Sequence, residues 1–165
     1  MRELTPAEQE TRDRRRAEYQ GFVDECVPVL VDFVDSLGLQ DSARIAIDPW
    51  RFLLPIESFI QYQDIGREDR IWILTRLGYF IGELFVTRYR GIWVLNEVPD
   101  SNFFLQYVVG RFSLLGNPDA MVNPFGVADD FLAIPKGRCL SDFIGKVEEE
   151  LLSLAGIESA LGETS

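Results

Sequence analysis

Apolar residues recur at intervals of three and four through Tyr19, Phe22, Val23, Cys26, Val29, Leu30, Phe33, Val34 and Leu37. That spacing predicts an amphipathic helix with one face on a core. Upstream, Thr5-Pro6-Ala7-Glu8 predicts its start, with Thr5 as cap, Pro6 at the first helical position and Glu8 closing a capping box. Residues 5–18 carry almost no apolar stripe, and acids are interleaved with the run Arg12-Asp13-Arg14-Arg15-Arg16. A polar helical arm over residues 1–18 is therefore expected, either in solvent or docked on another chain. A single domain over 19–156 and a frayed tail over 157–165 should follow. Pro28 is expected to kink or split the helix near Asp24, and Gly38 to end it.

Asp48-Pro49 and Asn123-Pro124 each place a capping side chain before a proline, which predicts short helices from Pro49 and Pro124. Pro55 should interrupt the first of them. Gly66-Arg67-Glu68-Asp69 opens the strongest helix, running to about Arg88, with a stripe of Ile71, Leu74, Leu77, Gly78, Ile81, Leu84 and Phe85. Trp72, Tyr79, Phe80 and Val86 widen its apolar surface, so this helix should be central. At Gly91 the period changes. Ile92 to Val98 and Phe103 to Val109 are β-rich runs joined by Pro99-Asp100-Ser101-Asn102, a hairpin signal with a four-residue turn. Arg111 to Leu115 would extend the second strand past a bulge at Gly110 or form a third. A last helix starts near Ser141-Asp142. The fold expected is α+β: N-terminal helices and a long central helix on a small antiparallel sheet, with two C-terminal helices. Its core should contain Phe33, Leu77, Ile81, Phe85, Trp93 and Leu151.

Composition narrows the chemistry. None of the 165 residues is histidine. The commonest general base and metal ligand is thus absent, along with every nucleophile–histidine mechanism. Neither a cofactor nor a metal is expected. The net charge of −11 argues against nucleic acid and anionic membrane as partners and suits a basic protein partner, with a homo-oligomer left open. Two cysteines, Cys26 and Cys139, do not make a disulfide framework. With no apolar stretch after Met1, no signal peptide is expected, and a cytoplasmic location follows as the expectation.

Four residues stand out as candidates: Tyr79, Glu83, Trp93 and Cys139. Gly78 and Gly82 lie four apart on one helix face and would let a neighbouring backbone approach, at a cost of about 1 kcal/mol each in helix propensity. Glu83 sits one step from that groove inside an apolar helix. It is either a buried acid or base of raised pKa, or a structural acceptor. Cys139 lies beside Lys136 and Arg138 and just before a helix N-terminus, conditions that activate a thiol; the alternative is a packed side chain. Asp119, Asp129, Asp130 and Asp142 could gather around Mg²⁺ only if the fold converged them.

The Gly82-Glu83 pair, the short basic link after it and the Gly91-Ile92-Trp93 strand entry resemble a pattern found in small bacterial domains of uncharacterised function. The stretch from Asn123-Pro124-Phe125 to Pro135 is similar to their later part, and the resemblance spans Ile71 to Leu152. It implies an α+β fold and carries over no catalytic residue. Two classes of function stay open: a non-enzymatic interaction protein (adaptor, chaperone-like or immunity-type), or a small-molecule-binding or enzymatic domain using a buried carboxylate or thiol. Whether Glu83 lines an open cavity distinguishes them.

Overall fold

The capping box forms as the sequence predicts. Thr5 accepts from the Glu8 backbone N–H, and the Glu8 side chain accepts in return from Thr5 N. From there helix α1 runs unbroken over Pro6–Ser36 in the computed structural model, which describes residues 2–154. Pro28 does not split it. Both Pro28 and Asp24, whose carbonyl loses its partner, lie on the exposed side, where water can satisfy the freed group. The expected end of the domain at residue 156 and the tail over 157–165 lie outside the described residues.

Single-turn 3₁₀ segments at Ser42–Ala46 and Pro49–Phe52 lead into α2, Leu53–Ile60. Pro55 does not interrupt α2. It falls in the first turn, where backbone N–H groups have no helical partner to lose. Helix α3, Arg67–Tyr89, is central as expected, with Leu77, Phe80, Ile81, Leu84 and Phe85 fully buried. Its buried face begins only at Ile73, so Ile71, expected on the core stripe, is 72% exposed.

Strands β1 (Ile92–Leu95), β2 (Tyr107–Gly110) and β3 (Met121–Val122) form one antiparallel sheet in the order β1-β2-β3. The register pairs Trp93 with Val109 and Gly110 with Met121. The connection between β1 and β2 is longer than the four-residue turn expected. Buried Asn96 organises it, donating to Ser101 Oγ at 2.9 Å and accepting from Val98 N at 3.2 Å. Arg111 to Leu115 is not a strand: Arg111 turns the chain with φ 50°, and Phe112 folds back against Gly91. Helices α4, Pro124–Leu132, and α5, Leu140–Leu154, complete the chain. Asn123 caps α4 by accepting from Gly126 N.

The architecture is thus α+β, with a long N-terminal helix, a central helix, a small antiparallel sheet and two C-terminal helices. All six expected core residues are buried. No helix among the described residues is long and apolar enough to cross a membrane.

The first turns of α1 lie on the chain's own sheet connection rather than projecting into solvent. Arg2 donates to Pro99 O and stacks over Phe104, Arg16 pairs with Glu97, and the Tyr107 hydroxyl donates to Arg15 O at 2.7 Å. The exposed contacts of Arg2 and Arg16 contribute little each, and the part-buried Tyr107–Arg15 bond carries most of what holds this segment. Deleting residues 1–15 is therefore expected to lower the melting temperature by about 2–4 °C, the shift that about 1 kcal/mol produces in a domain of this size. Thermal unfolding followed by circular dichroism measures it.

Candidate functional site

Three of the four candidate residues meet in one cluster. Glycine at 78 and 82 leaves two bare sockets on α3. A Cβ at Gly78 would overlap the Phe125 ring, and one at Gly82 the Trp93 indole. What approaches α3 here is therefore two aromatic rings, not the backbone expected from the glycine spacing. Trp93, seated on Gly82, donates its indole N–H to Glu83 Oε1 at 3.0 Å. The same oxygen accepts from Cys26 Sγ at 3.2 Å. Tyr79 crosses Trp93 edge-on with ring centroids 6.1 Å apart, and its hydroxyl donates to Phe22 O.

Phe22 is the hub that the sequence does not single out. It stacks on Tyr107 at 4.2 Å and on Tyr79 at 5.0 Å, and meets Trp93 edge-on at 5.1 Å. It belongs to the apolar stripe of α1, but a stripe says nothing about which partners converge on it. Such aromatic contacts are worth roughly 0.5–1.5 kcal/mol each beyond the area they bury.

Two of the groups in this cluster are poorly suited to proton transfer. Burial, reinforced by the neighbouring Glu83 carboxylate, pushes the Cys26 thiol far above the usual thiol range. Burial likewise pushes the Tyr79 hydroxyl up. Both groups stay protonated near neutral pH, so neither is a nucleophile or a base there. Among the described residues, Glu83 lines neither the cavity between α1, α3 and α4 nor the depression beside Glu18 and Glu25; one of its oxygens is occupied by two donors from the surrounding packing.

Cys139 lies elsewhere, at the residue before α5 and against α2. Glu57 reaches this helix start and accepts at one oxygen from Cys139 Sγ (3.0 Å), Ser141 N (2.8 Å) and Ser141 Oγ (2.7 Å). Of the two cations flanking Cys139 in sequence, Lys136 pairs with Asp64. Arg138 is buried and donates to Gln63 O. The hydrogen bond to the thiol comes from neither cation: Arg138 keeps Nε and Nη1 buried without a partner, and a carboxylate stands beside Cys139. Glu57 itself could not be found from sequence, since it lies 82 residues from Cys139.

Burial opposes ionisation of Glu57, but the hydrogen bonds from Cys139, Ser141 and Leu140 outweigh it and hold the carboxyl below its usual range. A carboxyl whose pKa is lower folded than unfolded contributes stability above the unfolded value, and this is lost as pH falls through the folded value. Glu57→Gln is expected to destabilise the protein at pH 7 and to flatten the loss of stability below about pH 4.3. Urea unfolding at stepped pH reads both effects.

Among the described residues, no three or more histidine, cysteine or acidic side chains come together as a metal site. Asp119, Asp129, Asp130 and Asp142 do not converge, and Asp129 pairs with Arg70. A depression of about 370 Å³ lies on the exposed side of α1. Phe22 and Tyr107 line it together with Glu18 and Glu25. Neither carboxylate has an ion pair or side-chain hydrogen bond among the described residues. Comparison with protein-family models, curated proteins and solved structures finds no match to this chain.

Proposed function

We propose that this protein works by binding rather than by catalysis, and that it docks a basic protein partner along α1. The observation that carries this reading is the depression between Glu18 and Glu25, backed by the stacked rings of Phe22 and Tyr107. Two carboxylates without an ion pair among the described residues, beside an apolar aromatic wall, suit an arginine or lysine side chain, which gains ion pairing at its head and apolar contact along its stem. Asp32 and Asp35 continue the exposed acidic side of α1 towards its C-terminus. The net charge of −11 would speed encounter with a basic partner and make it sensitive to salt. Glu83, Cys26 and Tyr79 support the same reading from the negative side, since their hydrogen bonds serve packing.

Site-specific photocrosslinking tests it. Gly21 lies between the two carboxylates, is exposed, and has open space where a side chain would stand, as has Gly145 on α5. A photoreactive residue at position 21 is expected to capture a basic protein in the native cell, and one at 145 is not. Glu18→Lys should abolish the adduct. Equal capture from both positions, or capture unaffected by Glu18→Lys, contradicts the proposal.

A further inference from the structure

The Phe22–Tyr107 stack has a second side with the opposite electrostatic character. A cavity of about 320 Å³ lies between α1, α3 and the start of α4, with Phe22, Tyr79, Tyr107 and Phe125 in its walls. No carboxylate lines it, although the chain carries 27 acids against 16 bases. Its charged group is Arg15, whose guanidinium carbon lies 5.6 Å from the Tyr107 ring centroid. Arg15 Nε is buried without a hydrogen-bond partner, and the side chain forms no ion pair among the described residues.

Donor accounting defines what the cavity lacks. The hydroxyl protons of Tyr79, Tyr107 and Thr75 are committed to the carbonyls of Phe22, Arg15 and Ile71. The Asn123 amide donates to Gln106 Oε1 at 2.7 Å and accepts from Gly126 N. Of the donors at this cavity, Arg15 Nε–H is the one buried without an acceptor, whereas the Gln106 side chain is exposed to water. A buried donor left unpaired is costly, and an occupant that brings an anionic acceptor relieves it.

We propose that this cavity binds a small planar aromatic carboxylate. The ring lies against the aromatic walls, and the carboxylate sits on Arg15, where a guanidinium can hold it with two parallel N–H···O bonds. The volume is near the lower end for ligand pockets, roughly 300–1,000 Å³, so the occupant is one or two fused rings rather than a nucleotide or peptide. This inference goes beyond the docking of a basic partner and stands apart from it. The acidic depression and the Arg15 cavity share only Phe22 and Tyr107.

Calorimetric titration of the full chain with 2-naphthoate tests it, with 2-naphthol and cyclohexanecarboxylate as controls for the charge and the ring. We expect saturable one-to-one binding of 2-naphthoate, weaker by about tenfold or more for each control, as loss of a charge-assisted bond or of the stacking surface should give. Arg15→Gln should weaken 2-naphthoate by about the same factor, and Arg14→Gln on the neighbouring exposed position should not. The ligand controls need no variant, so they stand even if Arg15→Gln unfolds. No saturation at millimolar 2-naphthoate, 2-naphthol binding within tenfold of the acid, or a folded Arg15→Gln binding within tenfold of the parent protein overturns the proposal. Crosslinking from position 21 is read separately and is unaffected by either result.

Discussion

Gly82→Ala is expected to lower the stability by about 1–3 kcal/mol, while Gly21→Ala, the same substitution in α1, should raise it by roughly 0.5–1 kcal/mol. Helix propensity alone would make both stabilising. The difference lies in what the new methyl group meets. At Gly21 it meets open space, so only the gain in propensity remains. At Gly82 it would overlap the Trp93 indole, and that ring cannot move aside freely. Phe22, Tyr79 and Phe125 surround it, and its N–H is held by Glu83. Overpacking therefore outweighs propensity at one position and is absent at the other. Urea unfolding of the two variants side by side gives the sign of each. A stabilising Gly82→Ala would mean that the socket does not exist.

Leu77→Ala should cost more, about 2–5 kcal/mol. Leu77 is fully buried on α3, the helix on which α1 and α4 both pack. An unfolding midpoint unchanged by this substitution would show that α3 presents a different face to the core.

The elements were more legible in the sequence than their meeting points. Thr5 with Glu8, Asn123 before Pro124, and the apolar periods of α1 and α3 each act locally, within one or two turns, so they can be read without knowing the fold. Prolines were harder. Their effect depends on position within the helix and on exposure, so Pro55 in a first turn and Pro28 on an exposed face leave their helices intact. Arg111 to Leu115 neither extends the second strand nor forms a third, because Arg111 adopts a left-handed conformation that residue type does not announce. For the candidate site, the glycine spacing and the isolated Glu83 correctly marked a crowded place. The sequence could not say that rings rather than backbone fill it, nor that Phe22 joins it from α1 and Phe125 from α4. Those convergences, like that of Glu57 on Cys139, are set by tertiary packing alone.

If the protein binds rather than catalyses, Glu83 serves as a structural acceptor for Trp93. A double-mutant cycle of Glu83→Ala and Trp93→Phe, read by urea unfolding, tests this most directly. Each single variant removes one partner of the 3.0 Å hydrogen bond. If the bond is structural, the two losses overlap, and the cycle should return a coupling of about 1–3 kcal/mol, in the range for residues sharing a buried hydrogen bond. Losses that add within about 0.5 kcal/mol would show that the two residues act independently, and would contradict the structural role assigned to Glu83.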